Sequence, residues 1–222
     1  MTLRIDILSD VVCPWCFIGK RHLERALAMY RERHYEAPAP VVRWHPFQLN
    51  PDLPASGTPR AQYVARKFGG PQRAAEIYAR VAAAGARAGI AFAFDRIEVQ
   101  PNTLDAHRLM HRAGELGIQD AMAESLFAGY FLEGRDFTDP ETLADLAQRA
   151  GMARGDARRY LVSNEDRALV VRQDAHARDS GIEGVPFFIF GERLAVSGAQ
   201  PPEVLLEAME RAAPGCRAAA TQ

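Results

Sequence analysis

The feature that most constrains this chain is Cys13-Pro14-Trp15-Cys16, two cysteines three positions apart where a strand-like segment gives way to a helical pattern. Two thiols at this spacing can close a small disulfide ring and reopen it with little movement of the backbone. A Cys-x-x-Cys motif beside strand and helix patterns is typical of redox sites. The motif therefore predicts thiol chemistry at the start of the first helix.

The positions of the two sulfurs predict different roles. Small and apolar residues recur at steps of three and four from Pro14 onward, which indicates an amphipathic helix to about Arg33 with Cys16 on its buried face. Cys13 precedes the first turn, where free N–H groups and the helix dipole favour an anion, and Pro14 suits the first helical position. We expect an exposed, attacking Cys13 with a pKa lowered to roughly 3.5 to 7.5, and a buried, resolving Cys16.

Three other interpretations of the cysteine pair are open. A structural zinc ion takes four ligands, and the one further cysteine, Cys216, lies near the end of the sequence, so no metal ligands are predicted. A static structural disulfide would be unusual at a helix start in a chain with three cysteines. The third interpretation is a pair of unrelated reduced cysteines.

Composition and charge limit the classes of function. The 222 residues carry 27 basic and 28 acidic side chains, so no charge excess points to nucleic acid or an anionic membrane as partner. A hydrophobic content of 48% excludes general disorder. No run of 18 apolar residues and no signal peptide are visible in the sequence. With few cysteines, we expect a cytoplasmic protein.

The order of the predicted elements indicates an α/β protein interrupted by helices. A first strand from Leu3 to Val12, the helix of the motif and a second strand over 41–47 form a βαβ unit with parallel strands. Residues 51–180 have helical patterns almost throughout, with helices predicted to begin at Thr58, to be capped by Asn102, to open at a capping box over Thr138–Glu141, and to run from Asn164 to Ser180.

Strand patterns return after residue 180. Residues 185–190 and 194–196 flank Gly191-Glu192, which predicts a hairpin with a Gly-X turn, and Pro201-Pro202 opens a final helix. We therefore predict one sheet assembled from residues 1–50 and 181–213, an inserted all-helical domain over 51–180, and a flexible tail over 214–222.

Five ordered blocks of the sequence carry a family resemblance. They are Ser9–Cys16, Trp44–Pro51, Asn102–Arg108, Gly184–Phe188 and Ser197–Pro202. Together with the helical insertion, they resemble the thioredoxin-like oxidoreductases of the DsbA type, most closely the FrnE-like cytoplasmic branch. The resemblance covers nearly the whole chain. The exported oxidases have a histidine between the two cysteines. In this sequence the dipeptide at that place is Pro14-Trp15, which is a departure from their pattern.

The resemblance implies a thioredoxin-like fold with a cis peptide bond before Pro186, packed beside the two thiols. In such a fold the backbone of Val185 can pair with an extended substrate that lies across the sulfurs. Trp15 then offers an apolar face to the substrate or packs at the helix start. Three alternative roles are open for Asp10: it changes the pKa of the Cys13 thiol, it relays a proton, or it caps the first turn of the helix.

Four polar residues, His45, Asn50, Ser197 and Gln200, are candidate contacts for a substrate or for glutathione. The start of the last helix, next to Ser197 and Gln200, can receive a carboxylate such as that of glutathione, and helix capping is the alternative role. His45 and His107 lie in blocks that match the family, although a structural role is more common for a single histidine.

The predicted function is thiol–disulfide exchange with protein or small-molecule substrates through Cys13 and Cys16, with no tightly bound cofactor and glutathione as a candidate co-substrate. One alternative is a glutathione-dependent isomerase or transferase, because the hydroxychromene carboxylate isomerases and kappa-class glutathione transferases resemble the same split fold. Another is a peptide-binding chaperone. The oligomeric state stays open, with a homodimer as one alternative.

Overall fold

The computed structural model describes residues 2–213. Its strands are β1 (Arg4–Ser9), β2 (Val41–Pro46), β3 (Thr58–Pro59), β4 (Val99–Gln100), β5 (Phe187–Phe190) and β6 (Leu194–Ser197). Its α-helices are α1 (Pro14–Arg33), α2 (Arg60–Phe68), α3 (Pro71–Arg87), α4 (Leu104–Glu115), α5 (Gln119–Phe131), α6 (Pro140–Arg149), α7 (Arg154–Val162), α8 (Arg167–Asp179) and α9 (Pro202–Ala212). A 3-10 helix covers Phe94–Arg96.

The main sheet has four strands in the order β2-β1-β5-β6. β1 and β2 are parallel, from Arg4 opposite Val41 to Ser9 opposite Pro46. β5 runs antiparallel to β1, with Ile5 opposite Phe190, and β6 runs antiparallel to β5. The βαβ unit and the late hairpin predicted from the sequence therefore pair directly, and the α/β prediction is confirmed.

Helix α1 begins where its sequence predicts. Cys13 has an extended backbone (φ −95°, ψ 112°) and precedes Pro14, whose missing N–H costs nothing in the first turn. The carbonyl of Cys13 accepts hydrogen bonds from Cys16 N at 3.0 Å and from Phe17 N at 3.4 Å. The helix buries Cys16, Phe17 and the apolar residues that follow at helical spacing, so it presents its N-terminus at the end of β1.

Two predicted boundaries were wrong near the motif and in the segment that follows β2. β1 ends at Ser9 because Asp10 O accepts a hydrogen bond from Cys13 N at 3.0 Å, which turns Val11 and Val12 out of the strand. Thr58–Pro59 does not start a helix but pairs antiparallel with Val99–Gln100 as β3 and β4. Helix α2 follows that pairing.

Three further predictions needed correction in the second half of the chain. α7 was not predicted, and α8 begins at Arg167 instead of Asn164 because Asp166 has a left-handed backbone (φ 58°). The hairpin loop has three residues between Phe190 and Leu194, not the two of a Gly-X turn. Gly191 and Glu192 both have positive φ, at 58° and 60°.

An aromatic cluster joins α1 to the helices that follow β2. The rings of Phe17 and Phe127 are stacked, with centroids 5.1 Å apart and planes 7° apart, and Phe92 and Phe131 pack edge to face at 5.3 Å. These side chains belong to one hydrophobic core that also contains residues of β1 and β5. The domain boundaries at residues 50 and 180 stay predictions, and the predicted tail over 214–222 lies outside the described residues.

Candidate active site

The two cysteines lie at the N-terminus of α1, next to the loop that enters β5. Cys13 and Cys16 carry free thiols, and the two residues lie close together at the start of α1. The peptide bond between Val185 and Pro186 is cis, as the resemblance implies. The Cys13 thiol lies 3.5 Å from the backbone oxygen of Val185. Residues from the two ends of the sequence thus meet at the cysteine pair.

The prediction that Cys13 is exposed to solvent was wrong. Cys13 is only 4% exposed and Cys16 is 1% exposed. Cys13 packs into the main hydrophobic core, and its sulfur faces the Val185 carbonyl instead of open water. The exposed member of the motif is Trp15, at 42%. The exposed side chain of the motif is therefore an aromatic ring, not a thiol.

Cys16 is held in its protonated form by its surroundings. Burial, together with hydrogen bonding and charge at Cys13, raises the pKa of the Cys16 thiol well above its ordinary value. Hydrogen bonds from the Ser9 side chain and the Asp10 backbone act in the opposite direction. A thiol in this setting needs a base before it can attack a disulfide.

Asp10 is buried beside the motif but does not cap α1. The helix has no side-chain cap, and Asp10 Oδ2 instead accepts a hydrogen bond from Leu49 N at 2.7 Å. Asp10 Oδ1 lies 3.3 Å from Nε2 of His107, which α4 supplies, and both residues are buried. The structure therefore brings Asp10 and His107 together, a pairing that spans two of the sequence blocks.

His45 and Asn50 have partners other than the thiols. Nε2 of His45 lies 2.8 Å from Oδ1 of Asp6, one strand away in the sheet. Oδ1 of Asn50 accepts a hydrogen bond from the hydroxyl of Tyr63 at 3.1 Å. Their predicted contacts with a substrate or with glutathione stay predictions.

Ser197 and Gln200 contact each other at the start of α9. The Gln200 side chain donates to the Ser197 carbonyl at 2.9 Å, and Nδ1 of His22 lies 2.8 Å from the Gln200 carbonyl. The N-cap residue of α9 is Pro201, and no side chain caps the helix. The capping role considered for Ser197 and Gln200 is therefore not seen, and their predicted contact with a carboxylate stays a prediction.

Gly19 and Ser9 are site residues to which the sequence analysis gave no role. A Cβ on Gly19 would lie 3.0 Å from Cγ of Pro186, so a glycine at this position lets α1 approach the loop that carries Val185. Its signal in the sequence was a glycine one helical turn after Cys16. Ser9 was quoted in the first block, and its side chain contacts Cys16.

A cleft of about 730 Å³ opens where β2 meets α1, α4 and α5. Ser9, Trp44, His45 and His107 are among the residues that line it. It therefore approaches the cysteine pair through Ser9.

None of the helices in residues 2–213 combines the length and the apolar character needed to cross a membrane. The same residues contain no group of three histidine, cysteine, aspartate or glutamate side chains placed to hold a metal ion. Cys216 lies outside the described residues.

Comparison with known proteins agrees with this geometry. Residues 4–210 match the DSBA-like thioredoxin domain. The chain is 32% identical to a probable DsbA oxidoreductase from Streptomyces coelicolor, whose crystal structure superposes with a TM-score of 0.86 over 99% of this chain and 93% of that one. It is 26% identical to an uncharacterized protein of Bacillus subtilis, YwbO, over 94% of this chain and 96% of that protein.

A more distant structure shares the fold. The cytosolic disulfide reductase DsbM from Pseudomonas aeruginosa, solved with GSH, is 20% identical and superposes with a TM-score of 0.62 over 94% of this chain and 99% of that one. The thioredoxin-like fold predicted from the sequence is confirmed by the domain match and by the Streptomyces structure. The chain belongs to the DSBA-like thioredoxin domain family.

Proposed function

We propose that this protein is a thiol–disulfide oxidoreductase in which Cys13 is the attacking sulfur and Cys16 the resolving one. The observation that carries the proposal is the pair of free thiols at the N-terminus of α1, with Val185 O 3.5 Å from the Cys13 sulfur. Membership of a family of disulfide oxidoreductases supports the same chemistry. Pro14 supports the site by starting the helix directly after Cys13.

The proposed cycle has two exchange steps. In the reducing direction the Cys13 thiolate attacks one sulfur of a substrate disulfide, and the other substrate sulfur leaves as a thiolate that takes a proton from solvent. Cys16 then loses its proton and attacks Cys13. The bond between Cys13 and the substrate breaks, the substrate leaves reduced, and Cys13–Cys16 is left as a disulfide. The oxidising direction is the reverse.

The surroundings of the thiols favour an extended substrate with apolar side chains. The loop of Val185 and Pro186 enters β5 beside Cys13, where a substrate backbone can pair with Val185. Trp15 is the exposed aromatic residue of the motif and can pack against the substrate. Since Cys13 is 4% exposed, we expect a substrate to engage this loop and Trp15 before it reaches the sulfur.

A second candidate function uses glutathione. The shared fold with a cytosolic disulfide reductase solved with GSH supports glutathione as a co-substrate of the dithiol. We propose the start of α9, beside Ser197 and Gln200, as a position for a glutathione carboxylate, and the cytoplasm as the compartment. A peptide-binding chaperone, with its thiols incidental to function, is the third candidate.

The Cys16→Ser variant separates these candidates. For a dithiol oxidoreductase we expect it to lose turnover of disulfide substrates and to accumulate mixed disulfides at Cys13, detectable by mass spectrometry. A glutathione transferase that needs one thiol would keep its activity, and a chaperone would be indifferent to the change. The matched control is Cys216→Ser, which we expect to retain turnover. Full disulfide turnover by Cys16→Ser would refute the proposed function.

A further inference from the structure

The cleft between β2, α1, α4 and α5 is lined by buried polar atoms that pair with no nitrogen or oxygen of the protein. Among residues 2–213, these atoms are Ser9 Oγ on β1, Trp44 Nε1 on β2 and His107 Nε2 on α4. The three residues are 5%, 6% and 4% exposed. Buried polar atoms are nearly always hydrogen-bonded, because an unpaired one costs free energy. The cleft therefore offers hydrogen bonds to a molecule that enters it.

The indole N–H of Trp44 decides which chemistry the cleft can accept. An indole nitrogen only donates a hydrogen bond, whereas a serine hydroxyl and a histidine ring nitrogen can donate or accept one. Ser9 has a weak partner in the Cys16 sulfur. Nε2 of His107 lies 3.3 Å from Asp10 Oδ1 without forming a hydrogen bond. A ligand of this cleft must therefore carry at least one acceptor atom for Trp44.

Trp44 is held in place before any ligand arrives. The Gln119 side chain accepts a hydrogen bond from Trp44 N at 2.9 Å and donates one to Trp44 O at 3.0 Å. The Trp44 ring packs edge to face against Phe127, with centroids 6.1 Å apart. A fixed donor loses little conformational entropy on binding. The indole N–H is thus a preorganised contact.

The remaining walls of the cleft suit an apolar body. Leu23 and Leu27 of α1, Met110 of α4 and Phe127 of α5 line it together with Trp44. Its volume of about 730 Å³ is in the range of pockets that bind small molecules, and such pockets combine apolar walls with a few polar groups. The cleft therefore has both parts of a small-molecule site.

The charges along the cleft favour a neutral ligand. Three carboxylates, those of Glu24, Glu115 and Asp120, line it with two cations, Lys20 and Arg43. Lys20 is already paired with Glu24 and Asp120. An anionic ligand would meet an excess of negative charge, and a cationic group without a lone pair would give Trp44 no acceptor. A neutral carbonyl oxygen satisfies both conditions.

We propose that this cleft binds a neutral small molecule with an apolar body and a carbonyl oxygen. The oxygen accepts a hydrogen bond from Trp44 Nε1, and other polar atoms of the ligand pair with Ser9 Oγ and His107 Nε2. Neither Cys13 nor Cys16 is among the described residues that line the cleft. The proposal is therefore independent of the proposed disulfide exchange.

The experiment titrates benzamide into full-length protein labelled with ¹⁵N. The chain has two tryptophans, so the indole region of a ¹H–¹⁵N correlation spectrum contains two signals, which the Trp15→Phe variant assigns. We expect the Trp44 indole signal to shift with a Kd of about 1 to 10 mM, ordinary for a molecule of this size. The signal of Trp15, which lies beside the thiols, should stay in place.

Two molecules of the same shape are the ligand controls. Benzoate replaces the amide with a negative charge, and benzamidinium replaces it with a positive charge and has no acceptor oxygen. We expect both to bind at least about tenfold more weakly than benzamide, because a charge is costly to bury without a partner. Equal binding of the three molecules overturns the proposal.

A pair of variants tests the position of the ligand. Ser9→Ala should raise the Kd for benzamide by about threefold to tenfold, because a hydrogen bond is lost. His111→Gln is the matched control, since His111 lines the same cleft but pairs with Glu115, and it should keep the wild-type Kd. The proposal is overturned by an unchanged Kd in Ser9→Ala. It is also overturned by a Trp44 signal that stays in place up to about 50 mM benzamide; water alone would then serve the polar atoms.

Discussion

The Cys13 thiol lies 3.5 Å from the backbone oxygen of Val185, a residue 172 positions further along the chain. This contact joins the N-terminus of α1 to the loop that enters β5. Gly19, on the second turn of α1, faces the ring of Pro186 in the same loop. The geometry of the site therefore depends on how closely α1 packs against residues 185–188.

The first prediction concerns that packing. In Gly19→Ala the new Cβ would lie 3.0 Å from Cγ of Pro186 and 3.1 Å from Cζ of Phe188, so both rings must shift by a few tenths of an ångström. We expect the free energy of unfolding to fall by about 1 to 3 kcal/mol, as for other overpacked cores. We also expect slower attack of Cys13 on a disulfide substrate. Urea denaturation and stopped-flow kinetics measure the two effects.

Gly184→Ala is the control for Gly19→Ala. It lies next to Val185, but a Cβ there has no heavy atom within 4 Å. We expect its stability and its rate of attack to match those of the wild type. Equal losses of stability and of attack rate in the two variants would show that any substitution near this loop has the same effect. Close packing of Gly19 against Pro186 would then not be the cause of the losses.

The local elements of the site were predictable from the sequence. The start of α1 depends on Pro14 and on the helical spacing of the residues after it, and both are local signals. The burial of Cys13 was not predictable from them, because it arises from a contact with Val185 that only the folded sheet creates. The resemblance supplied Val185 and Pro186, but not the distance between them and the sulfur.

The contacts made by the helices between β2 and β5 also could not be predicted from the sequence. His107 was a candidate only through its sequence block, and its position 3.3 Å from Asp10 depends on the packing of α4. α7 was missed because its sequence contains Gly155 and many charged residues, which weaken the apolar pattern. It folds as a helix because Tyr160 and Ala157 pack into the core.

The second prediction concerns substrate binding by Trp15. Its side chain is 42% exposed beside the thiols, so Trp15→Ala should remove substrate contact with little effect on folding. We expect KM for a peptide disulfide to rise by about tenfold, which corresponds to the loss of about 1.4 kcal/mol of binding. Tyr35→Ala is the control, because Tyr35 is 78% exposed and lies beyond the far end of α1. A rise in KM for both variants would argue against a specific role for Trp15.

The third prediction concerns the ion pairs that join α1 to α5. Lys20 is 3% exposed and lies 3.2 Å from Asp120 and 3.1 Å from Glu124. Burial alone would raise the pKa of Glu124, but hydrogen bonds and charges from Arg21 and Lys20 lower it below the ordinary 4.5. Glu124 thus contributes stability at pH values above 4.5, and this contribution is lost as the pH falls through the lowered pKa.

Lys20→Met should therefore destabilise the protein in a pH-dependent way. We expect a loss of about 1 to 2 kcal/mol at pH 7, because the three carboxylates of Glu24, Asp120 and Glu124 lose a buried cation. The difference from the wild type should shrink as the pH falls below 4.5 and through the lowered pKa of Glu124. Denaturation curves between pH 3 and pH 7 would measure it, with the exposed Arg25→Met as control. A loss independent of pH would point to packing, not charge.

The fourth prediction concerns Arg108, a fully buried residue of α4. Its guanidinium group donates hydrogen bonds to four backbone carbonyls, two in the last turn of α7 and two in the segment between α7 and α8, and to a carboxylate on its own helix. The acceptors are Tyr160 O at 2.8 Å, Leu161 O at 3.3 Å, Ser163 O at 2.9 Å, Glu165 O at 2.9 Å and Asp105 Oδ1 at 2.9 Å. This one side chain therefore holds the turn between two helices in place.

Arg108→Met keeps an unbranched side chain at this position but removes the guanidinium donor from all these carbonyls. We expect a loss of about 3 to 5 kcal/mol in the free energy of unfolding, the cost of breaking a buried charged network. Arg112→Met is the control, because Arg112 lies one turn further along α4, is 41% exposed and pairs only with Glu115 among the carboxylates of the described residues. Surface ion pairs contribute little, so its unfolding curve should overlay that of the wild type. Similar losses for both variants would show that the charge of α4, and not the buried carbonyl contacts, sets its stability.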